Sequence, residues 1–164
     1  MKPKRLFLLS GAPGSGKSTW AQNQVQLNGG TWISRDLIRF GLITENDDYF
    51  SMEDEVFTRF IDSIQTSINS SIETDIYVDA THLNKTGRNR VLKRLDISPL
   101  DEINCVCFNV PINILLKRND NREGLAKVPR SVVRRMHYSF EIPKADEKFT
   151  KVIIIDKDGR EVIK

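Results

Sequence analysis

Two cysteines, two histidines and no apolar run of membrane-spanning length leave this 164-residue chain little for a disulfide scaffold, a histidine-cysteine metal centre or a transmembrane helix. Cys105 and Cys107 stand two apart in an apolar stretch, so on a strand they share one face and are badly placed to pair with each other. With no Cys/His group beside them, the expectation is a pair of reduced, buried thiols in a cytoplasmic protein. Met1-Lys2-Pro3-Lys4-Arg5 ahead of four apolar residues has the start of a signal peptide, but the apolar run stops at Ser10, too short for one. Repeats, low-complexity tracts and an interdomain linker are also lacking. A hydrophobic fraction of 39% with 29% charged residues then suits one globular domain over residues 1–164, with no membrane contact.

Glycine is sparse too, yet three of the nine fall within one six-residue stretch. Gly11-Ala12-Pro13-Gly14-Ser15-Gly16-Lys17-Ser18 follows the apolar Leu6-Phe7-Leu8-Leu9 and fits G-x-x-x-x-G-K-[ST] at every fixed position. Glycines let successive backbone N–H groups turn inward around an anion, and the helix that follows points its positive end at the same phosphates. The pattern therefore predicts a nucleoside triphosphate, ATP or another, held by residues 11–18 and Thr19. Lys17 bridges the β- and γ-phosphates and the Ser18 hydroxyl ligates Mg²⁺.

A coarse pass finds strands alternating with helices, an α/β pattern with a parallel sheet covered on both faces. Strands are expected over Leu6–Ser10, Thr31–Ser34, Ile76–Asp79, Ile103–Val110 and Val152–Ile155. Helices are expected over Ser18–Leu27, Glu53–Ile72, Lys85–Leu95, Ile112–Asn119 and Arg130–Phe140. In Glu53–Ile72 the apolar Val56, Phe57, Phe60, Ile61, Ile64, Ile68 and Ile72 recur at three- and four-residue spacing, the stripe of a helix packed on a sheet.

Sheets of this kind bind ligands at the carboxyl ends of their strands, so residues leaving those ends are the site candidates. Asp36, after the second strand, is the candidate general base for an acceptor hydroxyl; the alternative is a helix N-cap. Arg39, three residues on, either clamps an acceptor phosphate or pairs with the acidic stretch Glu45–Asp62. Asp79 ends the third strand, where a carboxylate holds Mg²⁺ through water or orients the Lys17/Ser18 pair. Thr81 and His82 follow it; His82 contacts substrate, or caps, or is structural, and His137 lies in a basic helix. Asn119 to Pro129 reads as an irregular lid, with Arg122 closing on the triphosphate and Arg118 joining it from the preceding helix. Two basic stretches, Lys85 to Arg94 and Lys117 to Arg135, are either solvated faces or polyanion contacts.

Together these residues resemble the kinase domain of phage-type polynucleotide 5′-kinases. The resemblance rests on Gly11 to Trp20, Ser34-Arg35-Asp36 with Arg39, Asp79-Ala80-Thr81, Lys117-Arg118-Asn119 with Arg122, Ala126 to Pro129, and Val132 to Met136, in that order. It implies a P-loop kinase fold with an arginine-bearing lid, and transfer of the γ-phosphate of ATP to 5′-hydroxyl ends of RNA or DNA. By motif, Lys17, Asp36 and Arg122 are catalytic, Arg39 and Thr81 bind the acceptor, Arg118 and Arg122 bind the donor, and Ser18 with Asp79 serves the metal. His82 departs from the asparagine associated with its position. Residues Val152 to Gly159 resemble the opening of an aspartate-based phosphatase, but only five residues follow, and Asp158-Gly159 reads instead as the turn of a hairpin over about 152–163, with an edge open to self-association. The competing functions are a small-molecule kinase and a regulatory ATPase.

Overall fold

A computed structural model gives the fold over residues 2–162. Five parallel strands form one sheet in the order β2-β3-β1-β4-β5. They are β1 (Arg5–Ser10), β2 (Thr31–Ser34), β3 (Asp75–Asp79), β4 (Glu102–Phe108) and β5 (Lys151–Ile155). The helices are α1 (Lys17–Asn28), α2 (Arg35–Phe40), α3 (Glu53–Asn69), α4 (Lys85–Leu92), α5 (Ile112–Asp120) and α6 (Arg130–Ser139).

Alternation along the strands divides the core into two layers. Leu6, Leu8, Ile76 and Val78 meet Phe57, Phe60, Ile61, Ile64 and Ile68 of α3 and Val91 of α4. Phe7, Leu9, Tyr77, Val106, Phe108 and Ile155 face the other way, onto Ala21 and the half-buried Trp20 and Val25 of α1. Helices thus cover both faces, as the βαβ pattern predicts. Burying the α3 stripe contributes on the order of 10 kcal/mol before entropy, which places this helix across the sheet. Its expected end is corrected: the helix stops at Asn69, and Ile72 lies beyond it at 88% exposure. Likewise α4 ends at Leu92, with Leu95 buried from the turns that follow.

The segment after α6 is tied to the sheet by a buried ion pair. Arg88, fully buried, donates from Nε and Nη2 to the Glu147 carboxylate at 2.7 and 2.8 Å, and from Nη1 to the Glu141 carbonyl at 2.9 Å. Arg88 therefore belongs neither to a solvated face nor to a polyanion contact, the two alternatives read from the sequence for this stretch. Lys85 of the same stretch pairs with Asp146, and Arg90 and Arg94 stack over Phe57. Cys105 and Cys107 share one face of β4 with both thiols buried and 3.7 Å between sulfurs; that contact and burial push the Cys105 thiol up. At the C-terminal end the chain turns back on β5. Asp156 N–H donates to the Arg160 carbonyl, Gly159 takes φ +76°, and Val162 N–H donates to the Ile154 carbonyl at 2.7 Å. This is the expected hairpin, reduced to a single bridge between Ile155 and Glu161; position 163 of the expected range lies outside the described residues. No helix among the described residues is long and apolar enough to cross a membrane.

Candidate active site

The loop between β1 and α1 is a backbone cradle. Gly14 and Gly16 take φ values of +86° and +94°, which side chains rarely adopt. At Gly11 a Cβ would stand 2.7 Å from Ser15 Oγ and 3.0 Å from Phe108 Cβ, so a side chain there would have to displace both. Lys17 folds back over the cradle, donating to the Gly11 and Ala12 carbonyls at 2.9 and 3.1 Å. Burial pushes its ammonium below the ordinary lysine range, while the charges of Asp79 and Asp36 oppose that shift. A buried cation set on a loop of this glycine geometry suits a polyphosphate.

Beside it, Ser18 Oγ donates to Asp79 Oδ2 at 2.6 Å, and Trp32 Nε1 donates to the same oxygen at 3.0 Å. Asp79 ends β3, next to β1 in the sheet, which sets it against the loop. No cluster of three or more His, Cys, Asp or Glu is present among the described residues. One hydroxyl and one carboxylate at the foot of a phosphate cradle are the donor set of a Mg²⁺ held mainly by phosphate and water oxygens, so the residues fit that ion. Residues 79–82 are bound to the loop, since Gly11 N–H donates to the Thr81 carbonyl at 2.9 Å.

One sequence expectation fails here. His82 does not line the cleft: it is buried, with φ +38°, its Nδ1 2.7 Å from the Leu9 carbonyl and its ring stacked on Phe60. Its own carbonyl accepts from Ser10 Oγ and Arg88. Burial pushes its pKa down to about 3, so the imidazole is neutral and braces the end of β1 instead of contacting a ligand. Its Nε2 has no hydrogen-bond partner.

The opposite wall begins at α2. Ser34 caps this helix by accepting from Leu37 N–H at 3.2 Å, so Asp36 is not the cap. Asp36 instead projects into the cleft with its side chain 55% exposed. Arg39, one helical turn on, is nearly buried and forms a fork with the Glu53 carboxylate of α3, Nη2 lying 3.0 Å from both oxygens. Its Nη1 pairs with Asp36 Oδ1 and donates to Tyr49 Oη at 2.8 Å. Of the alternatives read from the sequence for Arg39, pairing with the acidic segment is the one seen, at a position that also lines the cleft. Arg35 also pairs with Glu53 while its guanidinium carbon sits 5.1 Å over the Phe57 ring.

One cleft of about 470 Å³ is lined by Pro13 to Thr19, by Asp36, Arg39, Tyr49, Phe50 and Glu53, and by Val132 and Met136 of α6. Thr81 and Asp79 form part of the floor. A second hollow of about 410 Å³ opens behind the loop, between Thr19, Trp20, Asn23 and residues 157–159. Arg118 spans it, donating to the carbonyls of Gly14 at 3.1 Å and Lys157 at 2.6 Å. Arg122 borders both hollows, its Nη1 resting 3.3 Å from the Ala126 carbonyl. The expected lid is corrected at its start: Asn119 and Asp120 belong to α5, and buried Asn119 clamps Val128 through both its N–H and carbonyl. The irregular part is 121–129, with one 3-10 turn at Gly124–Ala126.

Tyr49, Phe50, Glu53 and Trp32 escaped the sequence reading as site residues. Tyr49-Phe50 ends an acidic loop and Glu53 opens a helix, positions that read as surface until folding turns them onto Arg39. Only the aromatic pair amid acids offered a signal.

A sequence model of the AAA domain family matches residues 6–143. Transcription factor bHLH140 of Arabidopsis thaliana is 25% identical over 161 residues, covering 94% of this chain, and the chain spans 16% of the length of that relative. Among solved structures, a sugar kinase from Janibacter sp. HTCC2649 superposes with a TM-score of 0.67 at 20% identity, over 96% of this chain and 88% of that one. A chain of the Pnkp1/Rnl/Hen1 RNA repair complex does so with 0.70 at 22% identity, over 85% and 44%, and a fungal RNA kinase with 0.61 at 16%, over 94% and 75%. These likenesses give the fold, that of the nucleotide-binding P-loop kinases, and the family match over residues 6–143 makes the chain a member of the AAA domain family.

Proposed function

We propose that this protein is a polynucleotide 5′-hydroxyl kinase, moving the γ-phosphate of ATP or another nucleoside triphosphate to 5′ ends of RNA or DNA. The observation that carries it is the placing of Asp36 and Arg39, one turn apart on α2, across a single cleft from Lys17. The acceptor hydroxyl gives its proton to Asp36 as its oxygen bonds to the γ-phosphorus, the bond to the β,γ-bridging oxygen breaks, and the nucleoside diphosphate leaves. Lys17 and Arg122 stabilise the charge spread over the transferring group. Mg²⁺, held by Ser18 with Asp79 in support, would neutralise the β- and γ-oxygens. Arg118 and the hollow behind the loop suit the donor base. Arg39 offers its fork to a phosphate of the acceptor, and exposed Lys127, Arg134 and Arg135 give the strand a cationic path.

A small-molecule acceptor is the second reading, favoured by one feature: the Arg39 guanidinium is already engaged by Glu53 and Asp36 and nearly buried, as suits an acceptor without a phosphate. The sugar kinase and the RNA kinase share this fold, so the fold leaves the acceptor to the residues. The deciding experiment supplies γ-labelled ATP and Mg²⁺ with a 5′-hydroxyl oligonucleotide, a free nucleoside or a hexose, beside an Asp36→Asn control. Label on the oligonucleotide that vanishes in the variant supports the proposal. Label only on the nucleoside or hexose overturns it in favour of a small-molecule kinase, and ATP hydrolysis indifferent to Asp36→Asn points to a regulatory ATPase.

A further inference from the structure

Tyr49 sits where no part of the reaction scheme above yet uses it. It comes from the loop joining α2 to α3, and its hydroxyl stands between the base and the acceptor arginine, donating to Asp36 Oδ1 at 2.7 Å while accepting from Arg39 Nη1 at 2.8 Å. The Arg39 guanidinium carbon also lies 4.4 Å from the Tyr49 ring centroid. Phe40 and Phe50 hold the ring edge-on at centroid distances of 6.5 and 4.8 Å, so the phenol is fixed by packing as well as by hydrogen bonds. Both hydrogen bonds to Asp36 fall on Oδ1.

We propose that Tyr49 is a positioning residue for phosphoryl transfer, holding Asp36 by Oδ1 so that Oδ2 meets the acceptor hydroxyl. The inference rests on the reading of Asp36 as base, and applies to any hydroxyl acceptor. An aspartate side chain more than half exposed needs such a holder with any acceptor, and most with one that carries a phosphate. An acceptor phosphate that draws on the Arg39 fork competes with its bond to Asp36, and an aspartate side chain more than half exposed would then be free to rotate away from the reacting oxygen. A phenol anchored by two aromatic neighbours keeps the carboxylate in place while the arginine changes partners. The charged groups facing this hydroxyl are Asp36 and Arg39 of α2 and Glu53 of α3; burial, first, and the Asp36 charge, second, raise the ionisation of Tyr49 above the ordinary tyrosine range.

Two measurements test it. In Tyr49→Phe, which keeps the ring and its packing, kcat should fall roughly tenfold while the dissociation constant for ATP stays unchanged, a split that general loosening of the fold would not give. With tyrosine labelled at Cζ, the Tyr49 resonance should ionise at lower pH in Asp36→Asn than in the wild type, because the carboxylate that accepts its proton has gone. Unchanged kcat in Tyr49→Phe, or the same Tyr49 titration in both proteins, overturns the proposal. The titration needs no acceptor: if the wild type labels no oligonucleotide while Tyr49 still reports on Asp36, the polynucleotide reading fails and this one stands, and kcat is then taken on the nucleoside or hexose.

Discussion

Phosphate-side groups come from one unbroken stretch, Gly11 to Thr19, and are held by backbone geometry, with Lys17 donating to main-chain carbonyls. The facing wall takes Asp36 and Arg39 from α2, Tyr49 from the following loop and Glu53 from α3, and joins them through side chains alone. A cradle made of backbone tolerates few substitutions in the loop itself, and the distant residues that brace it, Thr81 and Arg118, bond to its main chain. A wall made of side-chain pairs depends on every partner, and its parts can be exchanged to fit a different acceptor. The fold is shared by structures named as a sugar kinase and as an RNA kinase, so under the proposed function this wall is where an acceptor would be chosen.

The sharpest separation of the two walls comes from pairing one substitution on each. Lys17→Ala should cut phosphoryl transfer by at least about 10³-fold and weaken ATP binding, while Asp36→Asn cuts the rate by a similar factor with ATP binding intact. Rates from labelled ATP and affinities from calorimetry check both; loss of ATP affinity in Asp36→Asn would show that the walls are not independent.

Next in size is an effect of pH on what lies beneath the cradle. The His82 ring, braced against the Leu9 carbonyl, has its pKa lowered to about 3 in the folded protein. The unfolded chain, with an ordinary imidazole near 6.5, takes up the proton first, so this contribution is complete above that value and is lost as pH falls toward 3. Roughly 3 kcal/mol should be gone by pH 4. Denaturant melts across that range should fall less steeply in His82→Asn, and equal slopes would remove His82 from the account.

Smallest is the effect expected on the acceptor wall from Glu53→Gln, which weakens the fork on Arg39 without removing it. The KM for the acceptor should rise about five- to tenfold with ATP binding nearly unchanged, while the melting midpoint falls, because the nearly buried Arg39 and its neighbour Arg35 lose the charge they share. Steady-state kinetics with varied acceptor checks this, and a matching rise in the KM for ATP would merge the two walls into one.

The difference between the walls is also the difference in what could be read beforehand. Gly11 to Ser18 was legible because its chemistry is local: turn geometry, helix start and lysine lie within eight consecutive residues. Asp36 and Arg39 were legible as candidates, but not the fact that Ser34 takes the capping role and leaves Asp36 free. Glu53 looked like an acidic helix start and Tyr49 like a loop aromatic, since nothing in their neighbourhood names Arg39 as their partner. His82 was misread for the converse reason: it follows a strand end, where site residues gather, yet its positive φ turns the ring inward onto β1. Arg88, counted among exposed bases, is drawn under the α6 segment by Glu147, a residue 59 positions away.

By itself the sequence determined the parallel α/β order, the α3 stripe and the phosphate cradle, because strand alternation, helical spacing and glycine geometry act over a few residues. Tertiary structure alone decided which charges face the cleft and which are buried beneath it. A charge settles by the partners that folding brings to it, and along the chain those partners are far apart.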